Sequence, residues 1–202
     1  VKDNPAFQGW RYEPTGKPED DFKSNFRPER SVTFELGRHA VGYLSLHFKT
    51  LTNCQDAPIR VKVFCGELPA ELNTDMPENW TAGLSRAWMQ DEILTVEQMD
   101  TTVTLARRVA CRYIKIELLA ESYGFDFALD GLSFTAETSA QTDRLSLPQT
   151  CSPQIRKIRE VAVNTLQECM QTVYEDGPKR DRRLWLGDLY LESLANMYSF
   201  QT

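Results

Sequence analysis

Ser31-Val32-Thr33-Phe34-Glu35-Leu36-Gly37, followed by Tyr43-Leu44-Ser45-Leu46-His47-Phe48, alternates apolar and polar residues with a period of two. In an extended chain successive side chains point to opposite faces. Val32, Phe34 and Leu36 therefore share one face, as do Leu44, Leu46 and Phe48. Gly37 reads as the end of the first run. The pattern recurs downstream. Ile59, Val61, Val63 and Cys65 alternate against Arg60 and Lys62, and strand-like runs follow at 92–96, 101–105, 111–119, 125–129 and 132–137. Short alternating strands at this spacing, with no helical stretch of convincing length among them, predict a mainly β fold. The expected domain is an antiparallel β-sandwich over residues 31–150.

Working outward to the N-terminus, residues 1–30 are rich in Pro and lack periodicity. Phe7, Trp10, Tyr12, Phe22 and Phe26 are spaced among polar residues, as in an extended arm pinned to a surface by its aromatics. The chain starts at Val1-Lys2-Asp3 with no leader pattern, which reads as the middle of something longer. Inside the β-region, 67–88 holds two Pro, Asn73, Asn79 and Gly83, and reads as a long excursion of the kind that often faces a ligand or partner. His39 and His47, the two histidines, lie beside strands without a second His at ligand spacing, and neither is assigned a role.

Toward the C-terminus the period switches to 3.6. Ser152 is a good N-cap and Pro153 suits the first helical position. Ile155, Ile158, Ala162, Leu166, Cys169 and Val173 then form an apolar stripe, predicting a helix over 153–174. A second helix is expected over 189–200. Its Leu189, Tyr190, Leu191, Leu194, Met197, Tyr198 and Phe200 spread over too wide an arc for one neighbour to cover. Such a face needs more protein, supplied by the sandwich, by further chain or by another copy of this one.

Between the two helices runs Glu175-Asp176-Gly177-Pro178-Lys179-Arg180-Asp181-Arg182-Arg183-Leu184-Trp185-Leu186-Gly187-Asp188, with four carboxylates and four cations. Gly177-Pro178 stops the first helix, and Asp188 is placed to cap the second. Charge runs are most often solvated turns, but the interleaved Leu184-Trp185-Leu186 pulls this loop toward a cleft.

Composition narrows the function classes. The 202 residues carry a net charge of −6, with 41% hydrophobic and 26% charged residues, which fits a globular protein large enough to bury a core. An acidic balance argues against a binder of nucleic acid, since Asp176, Asp181 and Asp188 thread the cations of 179–183. No run of 18 apolar residues exists to span a membrane. The five cysteines (54, 65, 111, 151, 169) form no Cys-x-x-Cys pair, which disfavours zinc and a disulfide framework. They do not choose between the cytoplasm and a periplasmic or secreted location.

Asp-Gly-Pro-Lys-Arg-Asp followed by Trp and Gly-Asp resembles the signature of bacterial α-L-rhamnosidases of the inverting, six-hairpin type, whose form is close to Asp-Cys-Pro-x-Arg-Asp-Glu-Arg-Leu-Gly-Trp-x-Gly-Asp. Phe34-Glu35-Leu36-Gly37-Arg38 with Val41-Gly42-Tyr43 is similar to the first strand pair of the family's accessory sandwich. Val63-Phe64-Cys65-Gly66-Glu67 and Arg112-Tyr113-Ile114-Lys115-Ile116 look like later strands. The resemblance implies a jelly-roll or concanavalin-like sandwich followed, over 151–202, by the first α-hairpin of an (α/α)6 catalytic barrel. It also implies cleavage of terminal α-L-rhamnosides in a rhamnose-containing carbohydrate, without metal or other cofactor.

Inverting hydrolysis needs one carboxylic acid to protonate the leaving oxygen and one carboxylate to activate water, about 6.5–9.5 Å apart. Carried over residue by residue, the resemblance implies that Asp176, Arg180, Trp185 and Asp188 contact the sugar. This chain has Arg182 where the family form has Glu, and one residue fewer between Arg180 and Trp185. Either Asp181 takes the acid role through a shifted register, or the acid is lost. A guanidinium cannot deliver a proton at ordinary pH, and Asp181 is favoured. The family's general base is a Glu much further along, so these residues alone are expected to be inactive. A non-catalytic carbohydrate-binding sandwich, with Trp80 and Trp88 lining a groove, and a ligand-free spacer are the other readings.

Overall fold

The computed structural model describes residues 2–4, 9–11, 13, 16–17, 26, 31–52, 55, 57–73, 88–121, 124–141, 143–146, 148 and 150–200. Two compact units divide the chain, residues 1–135 and 136–202.

In the first unit a short antiparallel pair, β1 (Lys2–Asn4) and β2 (Gly9–Arg11), precedes a six-stranded antiparallel sheet. The sheet comprises β3 (Ser31–Thr50), β4 (Ile59–Gly66), β5 (Gln90–Val96), β6 (Thr101–Thr104), β7 (Val109–Ala120) and β8 (Phe127–Ala136). Its order is β5-β4-β7-β3-β6, with β8 also paired to β3. The sandwich takes the form of a curled half-barrel, because β3 is long enough to change neighbours. Its first half pairs with β7 from Ser31 to Glu35 and again from Ala40 to Gly42, and Ser45 to Phe48 pair with β6. Gly37 does not end the strand, contrary to the sequence reading. It sits at φ +78° within the register shift between Glu35 and Ala40, and such an irregularity bends and twists a strand without terminating it. The expected break between 129 and 132 is likewise absent, since β8 runs continuously through Gly131.

Register explains why the alternation is so strict. Val63 of β4, Ile116 of β7 and Val32 of β3 align across three strands, and Cys65, Ile114 and Phe34 form the next rung. All six are buried in one core cluster. A slip of one residue would turn each of them to solvent. Leu44, Leu46 and Phe48 complete the core from the second half of β3, with Phe125 and Phe127 packed nearby. From the N-terminal arm, Phe26 is 1% exposed and its ring lies 6.0 Å from that of Phe127. Its backbone N–H donates to Phe127 O at 2.9 Å. The side chains of Phe7, Trp10, Tyr12 and Phe22 lie outside the described residues.

Polar pairs populate the other faces. Lys62 meets Asp91 at 3.2 Å and sits 4.3 Å over the Phe64 ring, while His39 meets Glu67 and His47 meets Asp130 at 3.2 and 3.6 Å. The excursion after β4 opens with a short helix, α1 (Pro69–Asn73). Residues 74–87, including Trp80, lie outside the described residues, and Trp88 is half-buried.

The second unit holds α2 (Pro153–Cys169) and α3 (Leu186–Met197). Ser152 caps α2 as expected, its Oγ accepting from Ile155 N at 3.3 Å. The helix ends five residues earlier than its periodicity suggests. The chain turns at Met170, Glu175 N returns to donate to Cys169 O at 2.9 Å, and the buried Gln171 amide donates to Glu168 O at 2.9 Å. These bonds satisfy last-turn carbonyls that a longer helix would have used internally. A small core of Ala140, Val163, Leu166, Met170 and Phe200 forms, with Tyr174 against it. Ile155 and Ile158, expected in the packed stripe, are exposed instead. Among the described residues no helix is long and apolar enough to cross a membrane.

Candidate functional site

The loop from Glu175 to Trp185 is tied down at both ends. Glu175 is buried, its N–H bonded to the end of α2. Next to it Tyr174 accepts from the buried Asn196 side chain of α3, Nδ2 to Oη at 2.7 Å. Asp176 then closes the neck. Its N–H donates to Arg183 O at 3.0 Å, and its Oδ1 accepts from Arg183 N at 3.0 Å. Inside the neck Arg182 N donates to Arg180 O at 2.7 Å and reaches Gly177 O at 3.3 Å. A Cβ at Gly177 would lie 3.2 Å from Arg180 O, so this close turn favours glycine.

Asp181 and Arg182 are consecutive left-handed residues, at φ +60° and +54°. Left-handed backbone costs an L-residue about 1–2 kcal/mol, with Asp among the more tolerant types. Arg has no such tolerance, so the surrounding bonds hold the chain in a conformation it would not choose alone. Asp181 is exposed, with its Oδ1 3.8 Å from Arg180 Nε.

Beyond the loop, α3 begins at Leu186, two residues before the sequence-expected cap. Trp185 is the N-cap residue and makes no side-chain capping bond. Asp188 is therefore not the cap. It lies in the first turn of α3, where the helix dipole favours a carboxylate. Trp185 is 50% exposed and Asp188 is exposed, so both present themselves to solvent beside the loop.

Glu192, which the sequence reading did not single out, belongs to this group. It stands one turn after Asp188 on α3, at the i, i+4 spacing that places side chains on one face. Burial pushes its carboxyl above the usual range, and the nearby Asp188 and Asp176 carboxylates push it further, against a hydrogen bond with Cys169 that lowers it. Its Oε2 is buried without a hydrogen-bond partner among the described residues. Burial also pushes the Cys169 thiol up, to about 12, with the Glu192, Glu168 and Glu175 carboxylates adding to the effect. The i, i+4 relation to Asp188 was the available signal. The fold adds Asp176 and Cys169, which no sequence spacing connects to α3. The loop thus gathers Asp176, Asp188 and Glu192, and sets Asp181 beside Arg180. Such a constellation can accept hydrogen bonds from hydroxyls, offer an aromatic face and transfer a proton.

The chain is thus a strongly curled antiparallel sheet followed by a helical unit whose inter-helix loop and the first helical turn after it carry Asp176, Asp181, Trp185 and Asp188. Residues 1–136 match the model of the glycosyl hydrolase family 78 alpha-rhamnosidase N-terminal domain, and the chain belongs to that family. A rhamnosidase from Klebsiella oxytoca, solved with rhamnose bound, superposes with a TM-score of 0.89 at 37% sequence identity. The match covers 96% of this chain and 37% of that one. The family 78 rhamnosidase of Bacillus sp. GL1 shares the fold at a TM-score of 0.66 and 16% identity, over 85% of this chain and 16% of its own. An α-L-rhamnosidase from Dictyoglumus thermophilum does so at 0.57 and 14%, over 89% and 19% respectively. No curated protein sequence matches the chain.

Proposed function

We propose that this chain is part of an enzyme that cleaves terminal α-L-rhamnosides with inversion. In this reading residues 31–150 are the accessory β-domain, residues 1–30 its arm, and residues 151–202 the first helices of an (α/α)6 catalytic barrel. Asp181 acts as general acid, Asp176, Arg180, Trp185 and Asp188 contact the sugar, and the general base lies on a part of the barrel outside these residues. The observation that carries the proposal is the 37% identity over 96% of the chain to a rhamnosidase with rhamnose bound. The exposed apolar side chains of α3, among them Leu186, Tyr190, Leu191 and Met197, support the barrel reading, because further helices would cover them.

The test uses the full-length parent enzyme. Asp181→Asn should lower activity on an alkyl α-L-rhamnoside by about 10²–10⁴-fold, the usual range of general acid–base catalysis. With an aryl leaving group of low pKa the loss should shrink sharply, since that group departs without a proton. Asp188→Asn should lower activity on both substrates alike. Equal losses for Asp181→Asn would remove it as the acid. Proton NMR of the first-formed sugar should show the opposite anomer to the substrate, and retention would rule out the inverting mechanism.

A further inference from the structure

We propose that Asp176 is a positioning residue for Asp181, in addition to any sugar contact it makes. This inference rests on the reading of Asp181 as the acid. Asp176 is half-buried, whereas Arg180, Asp181 and Asp188 are exposed. It holds the neck of the loop from two sides, its N–H on Arg183 O and its Oδ1 on Arg183 N, both at 3.0 Å. Within that neck lie Asp181 and Arg182, both left-handed. A pair of non-glycine residues persists in such a conformation only where its surroundings over-determine it. Releasing the neck lets the pair relax toward right-handed or extended backbone, and Asp181 then swings with its Cα. A misplaced acid loses proton transfer before it loses substrate binding, because proton transfer demands hydrogen-bond reach of the leaving oxygen.

One carboxylate can serve both purposes. It offers roughly four acceptor positions, so Oδ1 holds Arg183 while Oδ2 remains for a hydroxyl. The two roles separate by substitution. Asparagine keeps an oxygen that can accept from Arg183 N but loses the charge, and alanine loses both. Glutamate keeps the charge but moves it outward by one methylene.

The parent enzyme is assayed with an alkyl and an activated aryl α-L-rhamnoside for Asp176→Ala, Asp176→Asn, Asp176→Glu and Asp181→Asn. Asp176→Ala should lose at least about tenfold more on the alkyl substrate than on the aryl one, the signature of a weakened acid. Asp176→Asn should lose equally on both, restoring the leaving-group profile of the native enzyme. Hydrogen exchange of residues 177–185 should quicken in the alanine variant and stay native in the asparagine variant. Should the alanine variant not fold, Asp176→Glu gives the same reading, with a loss larger on the alkyl substrate. Equal losses on both substrates for alanine and glutamate, while Asp181→Asn discriminates between them, overturn the positioning role alone. If Asp181→Asn does not discriminate either, the acid reading fails and the positioning role with it.

Discussion

The two units handle their apolar side chains in opposite ways. In the β-unit, Leu44, Leu46, Phe48, Ile114 and Ile116 are all fully buried, whereas on α3 Leu186 is 82% exposed and Tyr198, just past its end, 76%. Left-handed backbone divides along the same line. In the β-unit it falls on Gly37 and Gly124, which bear no penalty there, and on a single Asp, Asp100, while in the helical unit it falls on two consecutive residues, Asp181 and Arg182. The β-unit confines its one non-glycine exception to Asp100, a residue type that tolerates the conformation. The loop between α2 and α3 departs from local preference where the candidate chemistry lies. Natural sequences depart from local consistency mainly at functional positions, and this contrast follows that rule.

The contrast breaks most visibly in the cores. Phe127 is fully buried against Phe26, Phe48 and Phe125, and Phe127→Ala should destabilise the chain by about 3–5 kcal/mol in urea melts. Tyr198→Ala should change stability by less than about 0.5 kcal/mol, as exposed sites do. Comparable losses at the two positions would mean that Tyr198 is covered in solution.

A smaller effect compares the left-handed positions. Gly37→Ala meets no atom within 4 Å, so its cost is conformational strain alone, about 1 kcal/mol. Arg182→Gly relieves the same kind of strain and should hold stability or raise it, by up to about 1 kcal/mol. Urea midpoints moving the other way at Arg182 would show that its side chain, not its backbone, sustains the loop. In the parent enzyme Arg182→Gly should also loosen Asp181 and lower activity despite the unchanged or higher midpoint.

The smallest effect is the pH dependence of Glu192. Its carboxyl is raised in the folded state, so the native chain holds that proton more tightly than the unfolded chain does. Its contribution to stability is fully present below the ordinary Glu range and is lost as pH rises through the raised value. Glu192→Gln should flatten this fall, bringing the variant's melting temperature up relative to the native chain as pH increases from 4 to about 7. A constant difference across that window would place Glu192 in open solvent.

Much of the β-unit was legible because period-two alternation and burial are the same fact seen twice. Once one face of a strand is buried, register is set, and Val61, Val63, Ile114 and Ile116 announce it in sequence. The interruptions are not legible in the same way. Gly37 signals a turn by itself, and only the pairing of β3 with β7 on both sides of it makes it a bend within one strand. In the helical unit the Ser152 cap was legible from local chemistry, but the end of α2 was not. It depends on Glu175 and Gln171 reaching back to carbonyls, a contest between helical and loop partners that periodicity does not record. The loop motif named Asp176, Arg180, Asp181, Trp185 and Asp188 from residue types in order. By itself, then, the sequence determined the strand faces, the family resemblance and the residues gathered in the loop, since each rests on local spacing. Tertiary structure alone decided the curl of the sheet, the neck closed by Asp176 and the joining of Glu192 to that loop. Those depend on which distant backbone groups and carboxylates meet, and a one-dimensional pattern carries no distances between them.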